Sequence, residues 1–106
     1  MLSQPISILA IGYHQPIMEV VHRLINSHGN WQGDLALSLD AARTKLAKGV
    51  YDAVLLCVGV SSEDEAILTQ IMKTSLPEAR MIRHFGGGSG LLESEIRKTM
   101  EQQPFK

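Results

Sequence analysis

Five features of this chain have the chemistry or the spacing to form a site: Cys57, His84, Tyr13, His14 and the run Gly86, Gly87, Gly88, Ser89, Gly90. A thiol beside an imidazole is the pairing from which a thiolate nucleophile is made. Cys57 and His84 would meet that requirement at the ends of adjacent strands. Cysteine is also among the most buried residue types, and inert packing is the simpler reading of Cys57. Consecutive glycines ahead of a helix present backbone N–H groups and a helix dipole to a phosphate or carboxylate, and Ser89 would add a hydroxyl. The run lacks the Gly-Lys-Ser/Thr ending of a Walker loop and follows the fourth strand rather than the first. A flexible joint is the alternative. Tyr13 and His14 either line a pocket or a contact surface at the mouth of the first strand, or fill space there. His14, His22 and His28 read as surface or capping residues rather than metal ligands. No Cys/His spacing supports zinc, so neither a metal nor a cofactor is expected.

The elements that would position these residues follow from hydrophobic periodicity. Residues 6–12 and 51–58 are short apolar runs, the second being the strongest strand in the chain. Residues 34–37 read as a brief second strand after a turn at 30–33, and residues 80–85 as a more polar fourth strand. Between them Ile17, Val20, Val21, Leu24 and Ile25 repeat at helical spacing, with Pro16 in the first turn and His28-Gly29 as the stop. Leu39, Ala42 and Leu46 mark a second helix capped by Ser38 or Asp40. Ile67, Leu68, Ile71 and Met72 mark a third, with Ser62 and Glu65 as its capping box. Glu63, Asp64 and Glu65 place negative charge in its first turn, where the helix dipole favours it. A last helix spans about 91–102, and residues 103–106 form a frayed tail. Strands alternating with helices predict a parallel sheet joined by right-handed crossovers, with helices on both faces.

This order resembles the receiver domain of response regulators, a CheY-like fold. The likeness lies in Ile8 to His14, which occupies the place of a receiver's first strand and acidic pair. It continues in Ala41 to Leu46 followed by Tyr51 to Leu56, similar to the second helix and third strand. The family's phosphoacceptor aspartate falls five residues after the Asp52-like position, and here that position is Cys57. The places of the Mg²⁺-binding acids hold Gly12 and Tyr13, neither a ligand for a hard cation that wants carboxylate oxygens. The lysine that follows a receiver's fifth strand is missing, since the length leaves room for four strands.

The resemblance therefore implies a flavodoxin/CheY-like three-layer α/β sandwich with a four-stranded parallel sheet in order 2-1-3-4, lacking one β-α unit. It implies a non-enzymatic pseudo-receiver, not phosphorylated on aspartate, that serves as a signalling or protein-interaction module. A fourth strand left at the edge invites pairing with a partner or a second copy unless Arg80 and Arg83 blunt it. Any homodimer would then use a geometry different from that of receivers, which pair through the altered region. The alternatives are a sensor of a small anionic ligand at the glycine run and, more weakly, a thiol enzyme using Cys57 and His84.

Composition is compatible with these readings. The 106 residues are enough for one domain, and 44% apolar content supports a core, mostly aliphatic because aromatics are few. A net charge of -1 creates no field for nucleic acid or anionic lipid. The single cysteine excludes an internal disulfide. No segment reads as a leader or a membrane span, and a cytoplasmic location is the default expectation.

Overall fold

The computed structural model describes residues 6–27, 29–48 and 50–83. Seven elements alternate along them: β1 (Ile6–Ile11), α1 (Gln15–Asn26), β2 (Trp31–Ala36), α2 (Leu39–Leu46), β3 (Ala53–Leu56), α3 (Ser62–Ser75) and β4 (Arg80–Arg83). The strands form one parallel sheet in the order β2-β1-β3-β4, the order that the resemblance to receivers implies. This α/β arrangement is consistent with a flavodoxin-like fold. The glycine run, His84, the helix expected at 91–102 and the tail at 103–106 lie outside the described residues, as does His28.

The two central strands have no solvent side. Ile8, Leu9, Ala10 and Ile11 of β1 and all four residues of β3 are completely buried. Successive side chains of a strand point to opposite faces, so each strand feeds two cores. Ile8, Ala10, Ala53 and Leu55 pack with Met18, Val21 and Ile25 of α1. Leu9, Ile11, Val54 and Leu56 pack on the other face with Ala42 and Leu46 of α2 and Leu68 and Met72 of α3.

Local signals set the helix ends. Ser38 accepts a hydrogen bond from the Ala41 N–H, and Ser61 one from the Asp64 N–H, each satisfying a donor that the first helical turn leaves open. The cap of α3 is thus Ser61, one residue before the expected Ser62. Glu65 is not part of a capping box; its carboxylate pairs with the Arg83 guanidinium and ties α3 to β4. The first helix ends at Asn26 with Ser27 as its cap, ahead of the expected stop at Gly29.

Two further departures have clear physical causes. The inner stripe of α1 is Met18, Val21 and Ile25, whereas Ile17 and Val20, expected inside, are 44% and 45% exposed. The helix is turned so that Met18 meets the bare backbone of Gly12. The second strand starts at Trp31, because that indole is buried on the α1 face. Gly33 had suggested a turn, but it is a strand residue against which Ile25 packs. A Cβ there would lie 2.7 Å from Ile25 Cγ2. The third strand is shorter than expected, although Asp52 still joins its neighbours: its N–H donates to Ser7 O at 2.7 Å and its carbonyl accepts from Arg80 N at 3.0 Å.

Truncating Leu55 to alanine removes a fully buried side chain from the centre of the α1-side core. We expect a loss of about 2–5 kcal/mol of unfolding free energy in a urea titration. A loss below about 1 kcal/mol would contradict the two-sided core.

Candidate functional site

In open α/β sheets, ligands bind beyond the carboxyl ends of the strands, where the chain order reverses. Here that point lies between β1 and β3, and Gly12 and Cys57 are the residues that leave these strands. Both continue the ladder. The Gly12 N–H donates to Ala36 O at 3.1 Å, and the Cys57 N–H to Ile11 O at 2.8 Å. A Cβ on residue 12 would stand 2.4 Å from Met18 Sδ and 3.0 Å from Cys57 Cβ. The thioether of Met18 therefore occupies the volume beside Gly12, and glycine is needed for that close approach. Cys57 is 3% exposed and belongs to the same apolar cluster as Met18, Ile8 and Ala10. A thiol in such surroundings packs as a small apolar group rather than acting as a nucleophile.

Tyr13 leaves this point toward α3. Its N–H donates to Val58 O at 3.0 Å, and its hydroxyl donates to Asp64 Oδ2 at 2.8 Å. Asp64 has two jobs in the first turn of α3, since its N–H also donates to Ser61 Oγ at 3.1 Å. The loop between them folds over the tyrosine. Gly59 takes φ +93°, a left-handed conformation open to glycine, and a Cβ on it would lie 3.1 Å from Tyr13 Cβ. Desolvation, then the hydrogen bond to Asp64 and its charge, push the Tyr13 hydroxyl up to about 12. The phenol is thereby held neutral, as a donor. A second pair of the same kind joins β2 to the approach of β3: the Tyr51 hydroxyl donates to Asp34 Oδ2 at 2.6 Å. Burial first, and then Asp34, raise the pKa of Tyr51.

His14 goes the other way. It is exposed and serves as the N-cap of α1, its Nδ1 lone pair accepting from the Ile17 N–H at 3.4 Å. Tyr13 and His14 are adjacent in the chain, yet their side chains serve helices on opposite faces of the sheet, and the structure does not gather them into one pocket. Of the sequence-derived candidates, Tyr13 and Cys57 converge near Gly12, while His14 diverges. His84 and the residues from Gly86 to Gly90 lie outside the described residues. Sequence reasoning placed Gly59 beside Cys57 at this end of the sheet but missed Met18 and the role of Asp64 there. Met18 had a visible signal, since it stands three and seven residues before Val21 and Ile25. The partnership of Tyr13 with Asp64 spans 51 positions and had none.

Among the described residues, no group of three or more His, Cys, Asp or Glu side chains is arranged to hold a metal ion. None of their helices is long and apolar enough to cross a membrane. A shallow groove of about 170 Å³ is lined by Met72 and Lys73 of α3, by Leu76 just after that helix, and by Met81 of β4. It lies toward the amino ends of the strands, away from Gly12 and Cys57. No protein-family model matches the sequence, and no curated protein matches it either.

The raised tyrosines predict a pH dependence with a definite sign. A hydroxyl whose pKa is higher folded than unfolded adds stability below its ordinary value of 10, and that stability is lost as the pH rises through about 12. In an ultraviolet titration both tyrosines should stay neutral past the ordinary range and ionise along with alkaline unfolding. Ionisation of either one at an ordinary pH in the folded protein would contradict the hydrogen-bonded arrangement.

Proposed function

We propose that this chain is a non-catalytic, receiver-like module that is not phosphorylated on aspartate and works through contacts with a protein partner or a second copy of itself. The observation that carries this reading is the filled switch point between β1 and β3. Phosphoryl transfer on a receiver needs carboxylates there, to bind Mg²⁺ and to accept the phosphoryl group. Gly12, Tyr13 and Cys57 occupy the corresponding places, and none of them offers a carboxylate oxygen. The Met18 thioether takes the space beside Gly12, and the Tyr13 hydroxyl is committed to Asp64. Asp64 itself lies nearby, but one of its oxygens accepts from Tyr13 and its backbone is fixed by Ser61.

The same observations weigh against the thiol-enzyme reading, because Cys57 is enclosed by aliphatic side chains. What a scaffold of this kind retains, once the chemistry is gone, is a rigid sheet that presents loops and helix faces. The resemblance to receivers supplies the link from that scaffold to signalling, and the link is one of analogy.

Incubation with acetyl phosphate and Mg²⁺, followed by intact-mass analysis, tests the proposal. The expected result is an unmodified chain. A phosphoryl adduct mapped to an aspartate would overturn it.

A further inference from the structure

Among the described residues the outer strand β2 is an edge of the sheet, since it pairs on one side only, with β1. An edge strand offers unpaired N–H and C=O groups to any strand that can reach them. Backbone groups of alternate residues point to the two sides of a strand. Asn30 and Ala36 accept from Ile6 and Gly12 on the β1 side, so Gly33 directs its peptide groups outward. Those groups are already engaged. The Gly33 N–H donates to Asn26 Oδ1 at 2.9 Å, and the Gly33 carbonyl accepts from Asn26 Nδ2 at 3.2 Å. The His22 ring contributes a further donor, with Nε2 3.1 Å from the same carbonyl. The other N–H of the Asn26 amide donates to His22 O at 3.0 Å, which fixes its orientation.

A primary amide that both accepts from and donates to one residue makes the pair of bonds a residue on a neighbouring strand would make. We infer that Asn26, seconded by His22, is an edge guard: it closes the middle of β2 to strand addition and so keeps a second copy of this chain from pairing there. Gly33 belongs to the device. Only a residue without Cβ lets the end of α1 come close enough for the amide to reach, given the 2.7 Å clearance to Ile25. The excluded complex is defined by symmetry. Two β2 strands running antiparallel about a two-fold axis at Gly33 would exchange the two hydrogen bonds that Asn26 now makes. The guard is independent of whether the proposed function holds.

The test begins with the unmodified full chain. Hydrogen exchange should show the Gly33 amide protected despite its edge position; exchange at the unprotected rate would overturn the inference. Asn26→Leu keeps the volume and removes both bonds. Sedimentation at increasing concentration should then show about a doubling of mass relative to the wild type. In that assembly the Gly33 amide should regain protection. Asn26→Ser, which keeps a polar surface but is too short to span the gap, serves if the leucine variant does not fold. A folded variant that retains the wild-type mass at every concentration would overturn the inference.

Discussion

The structure depends on one constraint: β1 and β3 lie side by side at the centre of a parallel sheet and are buried on both faces. A charged side chain on either face would leave water without a partner, at a cost of several kcal/mol. Every residue from Ile8 to Ile11 and from Ala53 to Leu56 is accordingly aliphatic. The polar chemistry of the fold is displaced to the ends of these strands. At their amino end, Asp52 accepts from Ser7 N at 2.9 Å and fastens the start of the ladder. At their carboxyl end, the two strands run on into Gly12 and Cys57 without opening.

That closed end sets the functional argument. A crevice at the switch point needs small polar loops that stand apart, and here the loops are drawn together. Met18 reaches across from α1, Tyr13 crosses to α3, and the backbone at Gly59 bends over the tyrosine ring. The hydroxyl–carboxylate bond between Tyr13 and Asp64 couples the end of β1 to the first turn of α3. Arg83 and Glu65 do the same between β4 and that turn. The first turn of α3 is therefore a junction for two strands, more than a dipole-stabilised cap.

The parallel sheet was legible because apolar runs alternate with helical spacing, and the central strands carried the strongest pattern; the strand order came from the resemblance to receivers. The positions read less well were those governed by close approach. Gly12 and Gly33 permit contacts with Met18 and Ile25, yet glycine in a sequence does not say whether it marks a turn or a neighbour. Gly33 was read as part of a turn for that reason, and Trp31 was drawn into the same error. The rotation of α1 was missed because Ile17 and Val20 are more hydrophobic by type than Met18, although only the methionine is flexible enough to fill the irregular gap at Gly12. At the candidate site, the absence of carboxylates at residues 12, 13 and 57 was readable directly. The local capping role of His14 was among the readings of that residue, whereas the Tyr13–Asp64 bond depends on tertiary geometry.

The central claim, that the carboxyl end between β1 and β3 is filled and does not take up a phosphate-like ligand with Mg²⁺, is tested most directly by nuclear magnetic resonance. Backbone amide signals of Gly12, Tyr13, Cys57 and Val58 would be followed as Mg²⁺ and beryllofluoride, a phosphoryl mimic, are added. The account predicts no saturable change at these four amides. A saturable shift at them would show an open site and contradict it.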